Sequence, residues 1–299
     1  MSNHIIPPPH WRATIEAYLD NGLGNEAIKQ LEKWNLQYEI VDGKLVDKKN
    51  STEYWLSKFI TVNPQMMVMK DHVRKIAKVD DCVLIVGPTG CGKELIAHAL
   101  IGERDQFVAV NSAGIPENLI ESILFGHVKG AFTGAVSENK GMCVQAGDGI
   151  LFLDEIGDMA LHLQAKILRA IQEKKILPVG ANREVDIRCR FVSATHRNLT
   201  EMVRAERFRE DLYARISTFE INISGFASRN KDIIPIVQSI PGGNDYLNAV
   251  QSHLATFDKS ECEEENISVE DYINSYGMCG LGVRGLQRAV RRFQVLGEI

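Results

Sequence analysis

The loop Gly87-Pro88-Thr89-Gly90-Cys91-Gly92-Lys93 follows the apolar run Val83–Val86 and precedes a helical pattern. That order constrains the fold more than any other stretch of the chain. Its glycines let backbone N–H groups turn inward around phosphate oxygens, the following helix N-terminus favours an anion, and Lys93 reaches the outer phosphates. Residues Gly87 to Lys93, with Glu94, are therefore the expected nucleotide contacts. Glu94 stands where a Ser or Thr hydroxyl usually joins Mg²⁺. Cys91 reads as a small loop filler rather than a redox switch.

About sixty residues on, Gly149-Ile150-Leu151-Phe152-Leu153-Asp154-Glu155 is an apolar run ending in two acids. Four buried residues would carry the carboxylates to the C-terminal end of a strand, where ligands sit in parallel sheets. Asp154 is expected to hold Mg²⁺, and Glu155 to polarise the attacking water. Between the two motifs lies Gly130-Ala131-Phe132-Thr133-Gly134-Ala135, a glycine-framed hexapeptide that reads as a mobile loop with an aromatic at its tip.

Short apolar runs at Val83–Val86, Phe107–Val110, Ile150–Leu153 and Arg190–Ser193 alternate with helical stretches, which indicates a mostly parallel sheet covered by helices. After about Thr218 helical patterns dominate, at Asp232–Ser239, Asn244–Thr256, Val269–Tyr276 and Val283–Val295. Residues 1–56 differ. Two helical patterns, Trp11–Leu19 and Asn25–Trp34, precede a hairpin pattern on an Asp42-Gly43 turn. That combination fits a small winged helix-turn-helix, yet six basic residues stand against eight acidic ones in residues 1–55. DNA contact and a docking or regulatory role both stay open for it. The expected organisation is 1–56 as the N-terminal segment, 57–217 as the α/β body and 218–299 as a helical lid.

A net charge of −5 gives no general basic field for nonspecific DNA binding. No apolar run is long enough to cross a bilayer, and no N-terminal secretory pattern is present. The six cysteines lack CxxC or metal-like spacing, so reduced thiols in a cytoplasmic protein are expected.

From about Thr61 to Arg292 the chain resembles the AAA+ domain of sigma-54-dependent transcription activators. The resemblance rests on GPTGCGKE at 87–94, LFGHVKGAFTGA at 124–135, GILFLDEIGD at 149–158, FVSATHRNL at 191–199 and FREDLYARI at 208–216. It implies an α/β P-loop ATPase with a parallel-sheet core and a C-terminal α-helical lid, forming a ring, usually a hexamer, with ATP and Mg²⁺ at subunit interfaces. Asn111 matches the family residue that holds the acidic Glu until the nucleotide state changes. Thr195 matches the sensor I position and is followed by His196. Arg209 and Arg215 match arginines offered to a neighbour's γ-phosphate, and Arg284 matches the sensor II arginine.

Around Arg284 the chain departs from the family pattern. Met278-Cys279-Gly280-Leu281-Gly282 stands in place of the usual Trp-Pro-Gly-Asn, with one residue inserted, which shifts the expected place of the arginine. Val128 stands where an acidic residue is common, and Gly180–Glu184 occupies the second pore loop. The Gly130–Ala135 loop implies contact with sigma-54 and RNA polymerase holoenzyme, with ATP driving open-complex formation. Two alternatives remain: binding sigma-54 without productive remodelling, and remodelling a different partner. From these residues neither a receiver-like domain before the body nor a helix-turn-helix after the lid is expected.

Overall fold

The computed structural model describes residues 11–33, 38–41, 44–47, 51–102, 104, 106–256, 268–275 and 282–297. The proline triplet, the Asp42-Gly43 turn, the acidic run 261–265 and the segment 276–281 lie outside the described residues.

Two helices, α1 (Trp11–Asp20) and α2 (Gly24–Lys33), precede the antiparallel pair β1 (Tyr38–Val41) and β2 (Lys44–Asp47), in which Val41 faces Lys44. The body follows as α3 (Thr52–Lys58), α4 (Pro64–Ile76), β3 (Val83–Val86), α5 (Lys93–Ala99), β4 (Phe107–Asn111), α6 (Glu117–Phe125), α7 (Met142–Gln145) and β5 (Ile150–Asp154). It continues with α8 (Leu161–Glu173), β6 (Lys175–Ile176), β7 (Val185–Asp186), β8 (Arg190–Thr195), α9 (Leu199–Arg204), α10 (Glu210–Ile216) and β9 (Phe219–Asn222). Among the described residues the helices that follow are α11 (Ile233–Ser239), α12 (Gly243–Thr256), α13 (Val269–Ser275) and α14 (Val283–Leu296).

Five strands form one parallel sheet in the order β4-β5-β8-β3-β9. Side chains alternate between its faces, and both are buried. Leu84, Leu151, Leu153 and Phe191 face a core shared with α6, α8 and α10. Val83, Ile85, Phe152 and Val192 face the core under α3, α4 and α5. Burial on both sides explains the uninterrupted apolar runs of β3 and β5. The lid has its own core of Phe226, Ile233, Tyr246, Tyr272, Leu286 and Val290.

Two boundaries move. β9 pairs with β3, so the sheet runs to Asn222, past the limit expected at residue 217. Its Phe-Glu-Ile-Asn sequence alternates as an edge strand does, over too few residues to register as a strand pattern. At the other end, α3 begins at Thr52, with Ser51 accepting the Tyr54 N–H at its N-terminus, and buries Leu56 in the body's core. It therefore belongs to the body rather than to the N-terminal segment.

Arg190, read from sequence as the start of an apolar run, is 2% exposed. Its guanidinium donates to the backbone carbonyls of Asp81 (2.9 Å), Ile76 (2.9 Å) and Leu100 (3.3 Å). Ile76 ends α4 and Leu100 caps α5, so one cation satisfies the C-terminal carbonyls of two helices. Burial, with the charge of Arg104 second, pushes its pKa down to about 10. Arg190→Met should cost about 3 kcal/mol in chemical denaturation, because three buried carbonyls lose a charged donor. Arg190→Lys should recover little of it, since an ammonium lacks the planar fork.

Candidate nucleotide site

The parallel register brings the strand ends to one edge. Asn111 stands opposite Asp154, while Val86 is flanked by Thr195 and Asn222. The phosphate loop leaves β3 at this edge, where ligands of open parallel sheets bind.

Lys93 is 8% exposed. Its Nζ donates to the carbonyls of Gly87 (3.0 Å) and Pro88 (3.3 Å) and lies 3.4 Å from Glu155 Oε1. The ammonium thus spans the mouth of the loop. Gly92 caps α5 without a side-chain acceptor, leaving the first N–H groups of that helix to face the loop. Glu155 adopts a left-handed backbone (φ +51°), which turns its carboxylate back toward Lys93. Its Oε2 accepts the His196 N–H (3.2 Å) and lies 2.7 Å from His196 Nδ1. Burial opposes ionisation of Glu155, but the His196 hydrogen bond and the Lys93 charge outweigh it and hold the pKa below its ordinary value.

Asp154 behaves oppositely. Burial first, and the neighbouring Glu155 charge second, push its pKa up, while one oxygen accepts the Glu155 N–H at 3.0 Å. A divalent cation at Asp154 would offset both effects, so this donor fits Mg²⁺, which commonly takes one or two carboxylates and completes its shell with phosphates and water. Among the described residues no group of three or more His, Cys, Asp or Glu side chains forms a metal cluster.

Not every expected residue lies where the family pattern puts it. Asn111 does not touch Glu155: its Oδ1 accepts the Ala113 N–H at 3.0 Å, and both Glu155 oxygens are engaged by Lys93 and His196. Thr195 is fully buried, its Oγ1 accepting the Arg197 N–H, while His196 beside it faces the cleft. From β8 the direct Glu155 contact is His196, which the family pattern marks only as the neighbour of Thr195. Arg209 forks onto Asp211 (2.7 and 3.0 Å) and Arg215 is exposed, so neither joins the Lys93–Glu155 cluster.

The lid reaches the loop directly. Val283 N–H donates to Gly90 carbonyl at 3.0 Å, which sets exposed Arg284 one residue from the phosphate loop. Gly282 permits this approach: its φ is +61° and a Cβ there would lie 2.3 Å from the Gly90 carbonyl oxygen. A second joint is buried. Arg229 donates to the Cys91 carbonyl (2.8 Å) and pairs with Asp232, which accepts from Val62 N–H (2.6 Å) and the Thr61 hydroxyl (2.7 Å). Two clefts flank the loop. One of about 560 Å³ lies over Gly87–Thr89 beside His196 and Asn222. The other, about 420 Å³, is lined by Trp55, Phe59, Leu95, Ile236 and Val283 between body and lid.

The Gly130–Ala135 loop stands away from these clefts. Gly130 (φ +82°) and Gly134 (φ +105°) take left-handed turns, and Gly130 N–H donates to the Ala135 carbonyl at 2.9 Å to pinch the base. Phe132 is 40% exposed and Thr133 is exposed. Residues 180–184 lie in the connection from β6 to β7, and Gly180 packs on Ala131, so the second loop braces the first.

A P-loop nucleotide site on a parallel sheet with a helical lid defines the AAA+ ATPase fold. Residues 59–222 match the family described as the Sigma-54 interaction domain, and the chain belongs to that family. GlrR of Escherichia coli (strain K12), a transcriptional regulatory protein, is 43% identical over 201 residues, covering 66% of this chain and 45% of that protein. The Nif-specific regulatory protein of Azotobacter vinelandii is 44% identical over 183 residues, covering 60% and 35%. The chain thus spans less than half the length of these relatives. The crystal structure of NtrX from Brucella abortus in complex with ATP aligns with a TM-score of 0.64 at 27% identity, covering 80% of this chain and 53% of that one. Among the described residues no helix is long and apolar enough to cross a membrane.

One pH effect follows from the histidine stacked on Trp55 of the second cleft. His98 is stacked between Trp55 (4.1 Å) and Phe107 (3.8 Å), and burial lowers its pKa from the ordinary 6.5. Below that value the unfolded chain binds a proton the folded chain resists, so stability falls as pH drops through the window beneath 6.5. Thermal melts from pH 7.5 to about 5 should show a shallower decline for His98→Phe than for the parent.

Proposed function

We propose that the chain is an ATP-hydrolysing activator that remodels sigma-54 RNA polymerase holoenzyme through the Gly130–Ala135 loop and so allows open-complex formation. The observation that carries this reading is one ATPase-type site, Lys93 with Asp154 and Glu155, in the same body as an exposed aromatic loop tip. Family membership supports the partner, and the ATP complex of NtrX supports the nucleotide.

On binding, Lys93 exchanges the Gly87 and Pro88 carbonyls for the outer phosphates, and the N–H groups of residues 90–94 wrap the phosphate oxygens. The base enters the apolar cleft between Phe59, Leu95 and the lid, closed by the Val283–Gly90 contact. Asp154 would hold Mg²⁺, which would supply positive charge against the negative charge developing on the phosphates. Once Lys93 turns to phosphate, Glu155 loses its ion pair and is free to polarise water, with His196 fixing its orientation. Arg209 and Arg215 lie outside this cluster and suit a neighbouring subunit's γ-phosphate, as in a homohexameric ring. Such an arginine contributes about 10³–10⁵ in rate. Arg284 approaches from the lid.

Phosphate state reaches the loop through the end of β4. Ser112 N–H bonds the Asp154 carbonyl at 2.9 Å, and the chain then runs through α6 to His127 and the loop. Coupling requires that nucleotide bind the two loop arrangements unequally.

Glu155→Gln should lower ATP turnover by about 10² or more, the usual scale of general-base catalysis, with ATP still bound in a fluorescent-nucleotide titration. Thr133→Ala should impair sigma-54-dependent open-complex formation at least about tenfold, roughly 1.4 kcal/mol of lost coupling, and far more than it impairs ATP turnover. Promoter opening that survives Thr133→Ala undiminished removes the loop from the mechanism. Turnover without promoter opening in the parent chain points to a different partner.

A further inference from the structure

The loop tip is held by a side chain that none of this reading uses. His127 lies in the segment between α6 and the loop, and its backbone is clamped from two sides. It exchanges two 2.9 Å hydrogen bonds with Asn139, while Gly126 and Val128 on either side bond to Val179 of the second hairpin. Its ring is fixed as well, with Nδ1 sharing a 2.7 Å hydrogen bond with Ser122 Oγ on α6. The Phe132 ring sits on this imidazole at 5.0 Å between centroids and 60° between planes, an edge-to-face arrangement. Thr133 on the loop is exposed, and Val136 beside it is 81% exposed.

We propose that His127 is a positioning residue: a docking platform that holds the Phe132 ring against the body, and from which the partner protein must take that ring. The inference deepens the proposed function and rests on it for the partner's identity, while the platform itself stands on the geometry. An edge-to-face pair shifts the balance between docked and free ring by about 2- to 10-fold. That range suits a switch, since the ring is retained without being locked and modest coupling to nucleotide suffices to release it. Ser122 adds directional control, because the shared hydrogen bond sets the face His127 turns to the loop.

The test places 4-fluorophenylalanine at position 132 of the full chain and follows its ¹⁹F resonance. With the platform intact, the resonance is displaced from that of the free amino acid and partly protected from a soluble paramagnetic agent. His127→Ala should move the resonance toward the free value and about double the paramagnetic relaxation, the lower end of the expected shift. His127→Phe, which keeps a ring, should restore both, and Ser122→Ala should fall between. A resonance unchanged by His127→Ala in a protein with the parent's melting temperature overturns the platform, as does failure of His127→Phe to restore it. Adding sigma-54 holoenzyme with ATP should displace the resonance further. If it responds to His127 but not to the holoenzyme, the platform stands and the proposed partner is removed.

Discussion

The ion pair between Lys93 and Glu155, 3.4 Å long and mostly shielded from water, joins the two halves of the nucleotide site. One partner comes from the phosphate loop after β3, the other from the end of β5, and β8 separates those strands in the sheet. The contact therefore exists only because the parallel sheet brings their C-terminal ends to one edge. Shielding strengthens the pair and also makes an unpaired charge there costly. A phosphate that draws Lys93 away must leave Glu155 with another partner, and His196 supplies one through two donors on one oxygen. In this account the exchange of charge partners is the start of the switch.

The Gly130–Ala135 loop is built from local contacts rather than from a large core. The hexapeptide is pinched at its base, His127 and Asn139 seal its stem, and the β6–β7 hairpin leans on it through Gly180 and Val179. Few buried apolar groups hold the tip, the usual condition for a segment that moves at low energetic cost. The lid is tied to the opposite side of the site through the Val283–Gly90 hydrogen bond and the buried Arg229–Asp232 joint. In the proposed mechanism nucleotide would meet the lid and, in a ring, a neighbour's arginines, and would act on the hexapeptide from a distance.

Much of this was legible in the sequence, for physical reasons. Glycine spacing in the phosphate loop and the apolar runs of β3, β5 and β8 report local backbone demands and two-sided burial, which a sequence carries directly. The four-residue edge strand β9 escaped notice because one short polar alternation reads as loop. The boundary expected at residue 56 falls inside α3, whose place depends on Leu56 packing in the same core as α5, a tertiary fact. Arg190 looked like the polar start of a strand, while its role as a shared cap needs the ends of α4 and α5 in place. The same limit applies to Glu155: the family pattern points to Asn111 as its partner, while the contact with His196 needs the end of β8 in place.

The central claim is that nucleotide state moves the Gly130–Ala135 loop relative to the sheet. Pulsed electron paramagnetic resonance measures this directly, with nitroxides on unnatural amino acids at exposed positions 136, beside the loop, and 220, on the far edge strand β9. Labelled chains diluted with unlabelled ones avoid contacts between neighbouring labels. The account predicts distance distributions that differ between a slowly hydrolysed ATP analogue and ADP. Superimposable distributions in the two states, with both nucleotides bound, would contradict it.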